Sequence, residues 1–183
     1  KNRAGLQLSN SADNYLENNS INNNSFYTFG MDSNPNFVDT SNTVDGKPIY
    51  SLVEKSDIVI DSTSDAALVH LFDCTNITIE DLECRDQKHG IYLYNTTDTH
   101  IRNYTSNQNH YGIYLDRSRD NILSNSTVNS SGKYGIYLTD SSNNLVYNNY
   151  FHNSKNIHIS ADSLNEWNIT KTTGRNILNG SYL

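Results

Sequence analysis

Three copies of one tetrapeptide frame the chain: Gly90-Ile91-Tyr92-Leu93, Gly112-Ile113-Tyr114-Leu115 and Gly135-Ile136-Tyr137-Leu138, spaced 22 and then 23 residues apart. Eleven residues after each Gly comes an aliphatic residue (Ile101, Leu123, Val146), and two residues later an Asn (Asn103, Asn125, Asn148). The same spacing links Leu68-Val69-His70-Leu71 to Ile79 and Asp81, and Gly5-Leu6-Gln7-Leu8 to Leu16 and Asn18. Downstream, Asn156-Ile157-His158-Ile159 opens another copy. Between residues 26 and 60 the period blurs, although Phe26-Tyr27-Thr28-Phe29, Ile49-Tyr50-Ser51-Leu52 and Ile58-Val59-Ile60 still read as short strands.

A unit of about 22 residues with two-residue periodicity and no helical stretch cannot bury its own apolar face, so coils must stack. The expected fold is all-β: a single-stranded, right-handed parallel β-helix, or solenoid, of about eight coils. Residues 1–163 form the repeats, with 26–60 irregular, and the atypical segment 164–183 is a cap or a link to further sequence. Trp167, the only Trp, then belongs to that cap. A leucine-rich repeat would need another Leu spacing and a helical return. Within Gly-Ile-Tyr-Leu, alternation turns Ile and Leu inward and Tyr outward. The recurrent corner residues Asn18, Asp81, Asn103, Asn125 and Asn148 are expected to stack as an internal ladder, since Asn tolerates left-handed backbone and its amides can bond along a column.

Composition agrees. The chain has 29 Asn, 22 Ser and 15 Thr but five Ala and five Glu, which excludes a helical bundle. Thirteen Tyr and regularly placed aliphatic residues argue against disorder. A net charge of −7 with 13 thinly spread Lys and Arg leaves no surface for nucleic acid. No apolar run is long enough for a transmembrane segment. The polar start, Lys1-Asn2-Arg3-Ala4, does not read as a signal peptide, so a secretion signal is expected to have been removed or to lie outside this sequence.

The repeats, with Asn143-Asn144-Leu145-Val146-Tyr147-Asn148-Asn149, resemble the parallel β-helix repeats of NosD-like proteins and of the CASH (carbohydrate-binding and sugar-hydrolase) superfamily. The stretch from Asp39 to Tyr50 and the tail from Asn165 to Thr172 with Asn176 to Gly180 resemble surface-exposed members common in methanogenic archaea. The resemblance implies the fold and an extracellular, cell-surface setting. It leaves activity open, because the superfamily holds lyases, hydrolases, epimerases and non-catalytic proteins.

The outward row His70, Tyr92, Tyr114, Tyr137 and His158, flanked by Phe72, Tyr94 and Asp116, places flat rings at strand spacing and suits sugar stacking. An aromatic column that only stabilises the sheet is the competing reading. Catalysis is not expected; if present it would act on uronate-type polysaccharide through Asp116 with Arg117 or Arg119, the one local cluster of carboxylate and cation. The acidic-Pro-His segment of alginate epimerases and the paired-Asp and Gly-His-Gly signatures of polygalacturonase-like enzymes are absent.

The NosD resemblance implies copper, which wants Cys and Met or clustered His. Met31 is the only Met, and His70, His89, His100, His110, His152 and His158 show no close ligand spacing. No metal site and no cofactor are therefore expected. Calcium on the corner carboxylates Asp13, Asp98, Asp120 and Asp140 stays open, without a repeated calcium motif. Cys74 and Cys84 share one coil, where alternate placement favours two free, partly buried thiols over a bridge.

Nine Asn-x-Ser/Thr sequons occur: Asn18, Asn23, Asn76, Asn95, Asn103, Asn125, Asn129, Asn168 and Asn179. Asn18, Asn103 and Asn125 are expected to be inaccessible as ladder residues, so Asn95 and Asn129 are the preferred acceptors. Gly5 already opens a standard coil, so either repeats precede it or the open coil docks on a partner, another copy end to end included. The leading expectation is a surface module with a structural or adhesive role that binds polysaccharide or other cell-envelope components. Enzyme and end-to-end envelope scaffold are the alternatives.

Overall fold

Left-handed corners decide where each strand ends. Twenty-four described non-glycine residues have positive φ, and nineteen of them are Asn or Asp, so nine of the 29 Asn sit at left-handed corners. They recur in columns such as Asp73, Asn95, Arg117 and Asp140, or Asn76, Asp98, Asp120 and Asn143. The computed structural model describes residues 4–24, 27–160, 163–171, 173 and 176–178. Its elements are all β apart from one 3₁₀ turn at Ser62–Ser64.

The described residues between 4 and 46 form a two-turn unit. In it β1 (Leu6–Leu8) pairs with β4 (Phe29–Met31), β2 (Tyr15–Leu16) with β5 (Phe37–Val38), and β3 (Ser20–Ile21) with β6 (Thr43–Val44), all parallel. Phe26, placed in a strand by the sequence, lies outside the described residues. A hairpin at Asp45 and Gly46 then reverses the chain, and β6 runs antiparallel to the start of β7 (Lys47–Val53).

From β7 the chain winds as a regular solenoid with three faces. Face one stacks β7, β9 (Leu68–Phe72), β12 (His89–Tyr94), β15 (Tyr111–Asp116), β18 (Tyr134–Thr139) and β21 (Ile157–Ile159). Face two stacks β8 (Val59–Ile60), β10 (Thr78–Glu80), β13 (His100–Arg102), β16 (Ile122–Ser124) and β19 (Leu145–Tyr147). Face three stacks β11 (Glu83–Arg85), β14 (Thr105–Asn107), β17 (Thr127–Asn129) and β20 (Tyr150–His152). All these pairings are parallel, and Ile91, Ile113 and Ile136 fall in one register column, as the repeat spacing requires. The two units make about seven turns of about 22 residues. The uniform division that gave eight coils did not allow for the hairpin or the C-terminal segment.

The interior ladder is offset by one residue from its expected place. Asn18, Asp81, Asn103, Asn125 and Asn148 do adopt left-handed φ, between 51° and 57°. All but the half-buried Asn148 are exposed, and their column runs along the outside. Asn103 Nδ2 donates to Asp81 Oδ1 at 3.1 Å, and Asn148 donates to Asn125. A left-handed residue breaks strand alternation, so its successor turns inward instead. At the expected corner the ladder stands one residue on, where Ser126 Oγ and Asn149 Oδ1 accept from the Tyr104 and Ser126 N–H groups at 3.1 and 2.8 Å. Other corners carry ladders of the same kind, each side chain accepting the backbone N–H of the preceding coil. Asn121, Asn144 and Asn165 accept from Thr99, Asn121 and Asn144 at 2.8, 3.0 and 3.0 Å. Thr96, Ser118 and Ser141 do the same for Cys74, Thr96 and Ser118. Buried backbone donors are thereby satisfied coil by coil.

A second core lies outside the solenoid. The interior core contains Val69, Leu71, Ile79, Cys84, Ile91, Ile113, Leu123 and Val128. The outer core joins Phe29, Met31, Val38 and Val44 of the two-turn unit to Ile49, Leu68, Phe72 and Tyr92 on the outward side of face one. The Gly5 coil is therefore not the first rung of one continuous stack. Two short turns leave their apolar side open, and they close it against the neighbouring sheet. Lateral bonds fix this placement: Thr28 Oγ1 donates to the Asp86 carbonyl, Phe29 N–H to Gln87 Oε1, and Lys88 Nζ lies 2.6 Å from Asp32 Oδ1. At the other end Leu145 bridges Glu166, and Ile177 N–H donates to Asn148 Oδ1.

Candidate ligand-binding face

Face one carries the aromatic residues because of a local irregularity at each repeat glycine. The strand register passes from His89↔Tyr111 to Ile91↔Ile113 without pairing Gly90 with Gly112. A Cβ on Gly90 would point into the interior, 2.7 Å from Asn109 Nδ2 and 2.8 Å from the Gly112 carbonyl oxygen. Glycine thus lets two successive residues face inward and returns the preceding residue to the outside. A second outward column results, His89, Tyr111 and Tyr134, beside the expected His70, Tyr92, Tyr114, Tyr137 and His158. The sequence carried its signal, a ring before each repeat glycine.

The expected row is in register, from His70 to Tyr92, Tyr114, Tyr137 and His158. It is not uniformly open. The two-turn unit buries His70 completely and leaves Tyr92 2% exposed, with Phe72 also buried, whereas Tyr114, Tyr137 and His158 are half-buried. The open part of the row therefore starts one coil above Tyr92. There Tyr111 stacks on Tyr114 at 5.4 Å between ring centroids, Tyr134 on Tyr137 at 5.3 Å and Tyr137 on His158 at 4.8 Å. Lys133 Nζ sits 5.1 Å from the Tyr111 ring centroid and donates to its hydroxyl at 2.7 Å; that bond raises the ammonium pKa. Lys155 Nζ lies 5.5 Å from the Tyr134 centroid.

Where the two-turn unit meets this face, Asp32, Lys88, Tyr92, Tyr111, Tyr114 and Asp116 line a cavity of about 300 Å³. Tyr92 donates from its hydroxyl to Asp116 Oδ2 at 3.4 Å. Burial raises the Asp116 carboxyl against the opposing effects of Arg117 and the Tyr92 hydrogen bond. Burial also lifts the Tyr114 hydroxyl to about 12. Arg117 lies at the adjoining corner, with Nη1 donating to Tyr94 Oη at 2.9 Å. Arg119 sits beyond the turn, 3.9 Å from Asp120, so the structure groups Asp116, Arg117 and Tyr94 and leaves Arg119 apart.

Beneath the two-turn unit His70 and His89 lie 5.7 Å apart between ring centroids, both buried. Burial brings His70 down to about 3, with Lys88 contributing, and pushes His89 well below its usual range. Cys74 and Cys84 are free thiols in the interior core, on the opposite side of the sheet. Burial drives Cys84 up to about 12. The calcium candidates do not converge: Asp98 and Asp120 share one corner column, Asp140 stands in another and Asp13 lies in the two-turn unit. Among the described residues, no three His, Cys, Asp or Glu come together as a metal set.

Sequons at Asn18, Asn103 and Asn125, expected to be inaccessible, are exposed because their column faces out. Asn95 is exposed and Asn129 half-buried, while Asn179 lies outside the described residues. No described helix is long and apolar enough to cross a membrane. A family model described as periplasmic copper-binding protein (NosD) matches residues 2–183. No curated protein and no solved structure matches the chain.

Proposed function

Because this chain belongs to the NosD family of β-helix proteins, we propose that it is an extracytoplasmic module that binds polysaccharide on face one, in a structural or adhesive role. One observation carries the reading: Tyr114, Tyr137 and His158, with Tyr134 beside them, stay half-open on a parallel sheet at the spacing of stacked strands, about 4.8 Å, while Tyr111 beneath them is buried. A flat, preordered ring pays little conformational entropy to stack on a sugar face. The family description, periplasmic, supports an address outside the cytoplasm, at the surface or in the envelope. Segment 164–183 is a cap of the last coil or a link to further sequence; among its described residues Glu166 bridges Leu145 and Ile177 bonds Asn148.

Copper does not fit the described residues. His70 and His89 supply two imidazoles, but the thiols that a copper(I) centre would favour lie across the sheet in the other core. A glycan array tests the binding reading: wild type binds at least one polysaccharide class, and Tyr137→Ala loses that binding while keeping its melting temperature. Absence of binding to every polysaccharide class would refute it.

A second reading has one observation in its favour, the raised carboxyl of Asp116 beside the Tyr92 hydroxyl at the cavity. A protonated Asp116 is poised to donate to a glycosidic oxygen. Shortened or unsaturated products from uronate polymers, abolished by Asp116→Asn, would establish it.

A further inference from the structure

We infer that the ligand of face one is an anionic polysaccharide, lying along the solenoid axis with its acid groups toward the corner that carries Lys133 and Lys155. This rests on the polysaccharide-binding reading above and names its ligand class. The argument begins with charge placement. The chain holds 20 Asp and Glu against 13 Lys and Arg, and the corners after Tyr94, Asp116 and Thr139 hold Asp98, Asp120 and Asp140, with Arg117 and Arg119 beside Asp120. The corner on the other side of the aromatic columns differs. Residues 108–111, 130–134 and 152–156, which lead into β15, β18 and toward β21, contain no carboxylate at all.

Basic or imidazole side chains stand there beside the rings: Lys133, Lys155 and His110, the last bonded to the Tyr27 hydroxyl of the two-turn unit at 2.8 Å, with His152 at the end of β20. Lys133 and Lys155 lie on successive coils along the axis, Lys155 in register with Tyr134. Lys133 and Lys155 are exposed, and each sits over a tyrosine ring, which positions the ammonium while its remaining N–H donors point to solvent.

The lower end of this track is closed. Lys88, the next residue of the same column, is paired with Asp32 of the two-turn unit at 2.6 Å and is only 14% exposed. An anionic chain reaching that point meets the Asp32 carboxylate, so the track ends at the level of Tyr111 and Tyr114. Rings for the sugar faces beside cations for the acid groups, repeated at each coil, suit a polymer with one charge per sugar. A single exposed charge contributes less than about 1 kcal/mol, so affinity depends on several coils acting together and weakens with salt.

The experiment compares polygalacturonate, the same polymer with its carboxyls reduced to alcohols, a sulfated galactan and a single-stranded oligonucleotide, by affinity electrophoresis and calorimetry. Wild type is expected to bind an acidic polysaccharide at least about tenfold more tightly than the reduced polymer, with the preference collapsing at ~0.5 M salt. The uronate and sulfate arms identify which acid group is read. Lys133→Gln with Lys155→Gln removes the preference but keeps any weak binding to the reduced polymer, and Lys47→Gln, at the start of β7 three coils below Tyr114, changes nothing. Tyr137→Ala weakens acidic and reduced polymers alike. Equal binding of acidic and reduced polymers overturns the inference and leaves the aromatic-face reading standing. Oligonucleotide binding as tight as the best polysaccharide overturns it in favour of an unselective polyanion surface. Binding to none of the polymers removes both.

Discussion

The two-turn unit and the solenoid are built from the same local grammar and end in different places. Both use short alternating strands between left-handed Asn and Asp corners, and both pair each strand with its counterpart one coil away. The solenoid repeats this often enough to enclose a core of its own. The two-turn unit does not: its inward residues Leu6, Leu8, Phe29, Met31 and Val38 find cover only on the outside of face one. The comparison teaches that a solenoid rung is stable through its neighbours, and that a short stack broken by a hairpin will borrow another surface. The borrowed surface is the lower half of the aromatic row, so the same event that covers the apolar residues of the two-turn unit sets the boundary of the open rings.

The largest expected effect strikes the borrowed core. Phe29→Ala removes a fully buried ring from it and should cost about 4 kcal/mol locally. Limited proteolysis should then cut within residues 4–46 while the solenoid keeps its far-UV spectrum; simultaneous loss of both would show that the units do not differ in this way.

Acid sharpens the same contrast. An unfolded imidazole takes its proton near 6.5, whereas buried His70 does so only near 3. The native state therefore has its full advantage above pH 6.5 and loses it as the pH falls toward 3. By pH 4 the loss from His70 is on the order of 3 kcal/mol, with His89 acting in the same direction. Since both rings lie in the seam, the two-turn unit should be released first. His70→Phe would keep the seam closed at low pH, and tyrosine fluorescence followed over a pH titration reports the difference.

Gly112→Ala attacks the solenoid itself. The new methyl would lie 2.6 Å from the Gly135 carbonyl oxygen and 2.9 Å from Ser106 Oγ, an overpacking worth about 2 kcal/mol. Because face one is also the floor of the outer core, denaturant unfolding should show both units destabilised together. The smallest effect is Gly46→Ala. No atom crowds that position, but φ is +84°, so the cost is backbone strain alone, about 1 kcal/mol, felt only by the hairpin.

These contrasts also mark what the sequence could tell. The spacing of Gly90, Gly112 and Gly135 was enough for the stacked coils and for the alignment of Tyr92, Tyr114 and Tyr137, because period and register are the same quantity in a parallel solenoid. The internal ladder slipped by one residue, since a left-handed corner such as Asn103 changes which neighbour faces in, and simple alternation does not count through it. The lateral placement of residues 4–46 was not legible from the repeat. Its traces were the Asp45-Gly46 turn and the apolar outward residues Ile49, Val53, Leu68 and Phe72, where higher coils carry Tyr94, Asp116 and Thr139. Burial of His70 beneath a distant segment follows from that tertiary contact and from nothing local.

A designed cross-link tests the placement of the two-turn unit most directly. A Cβ at Gly30 would stand 3.2 Å from Lys88 Cβ, close to the range of about 3.5–4.5 Å that a disulfide accepts, although 58 residues separate the two positions in sequence. Cys74 and Cys84 are buried and free, so they should not compete. Gly30→Cys with Lys88→Cys is expected to form an intrachain disulfide under mild oxidation, seen as a faster band in non-reducing electrophoresis and assigned by peptide mapping. A folded double variant that stays reduced, or that links only between chains, would contradict the lateral docking and with it the boundary of the open aromatic row.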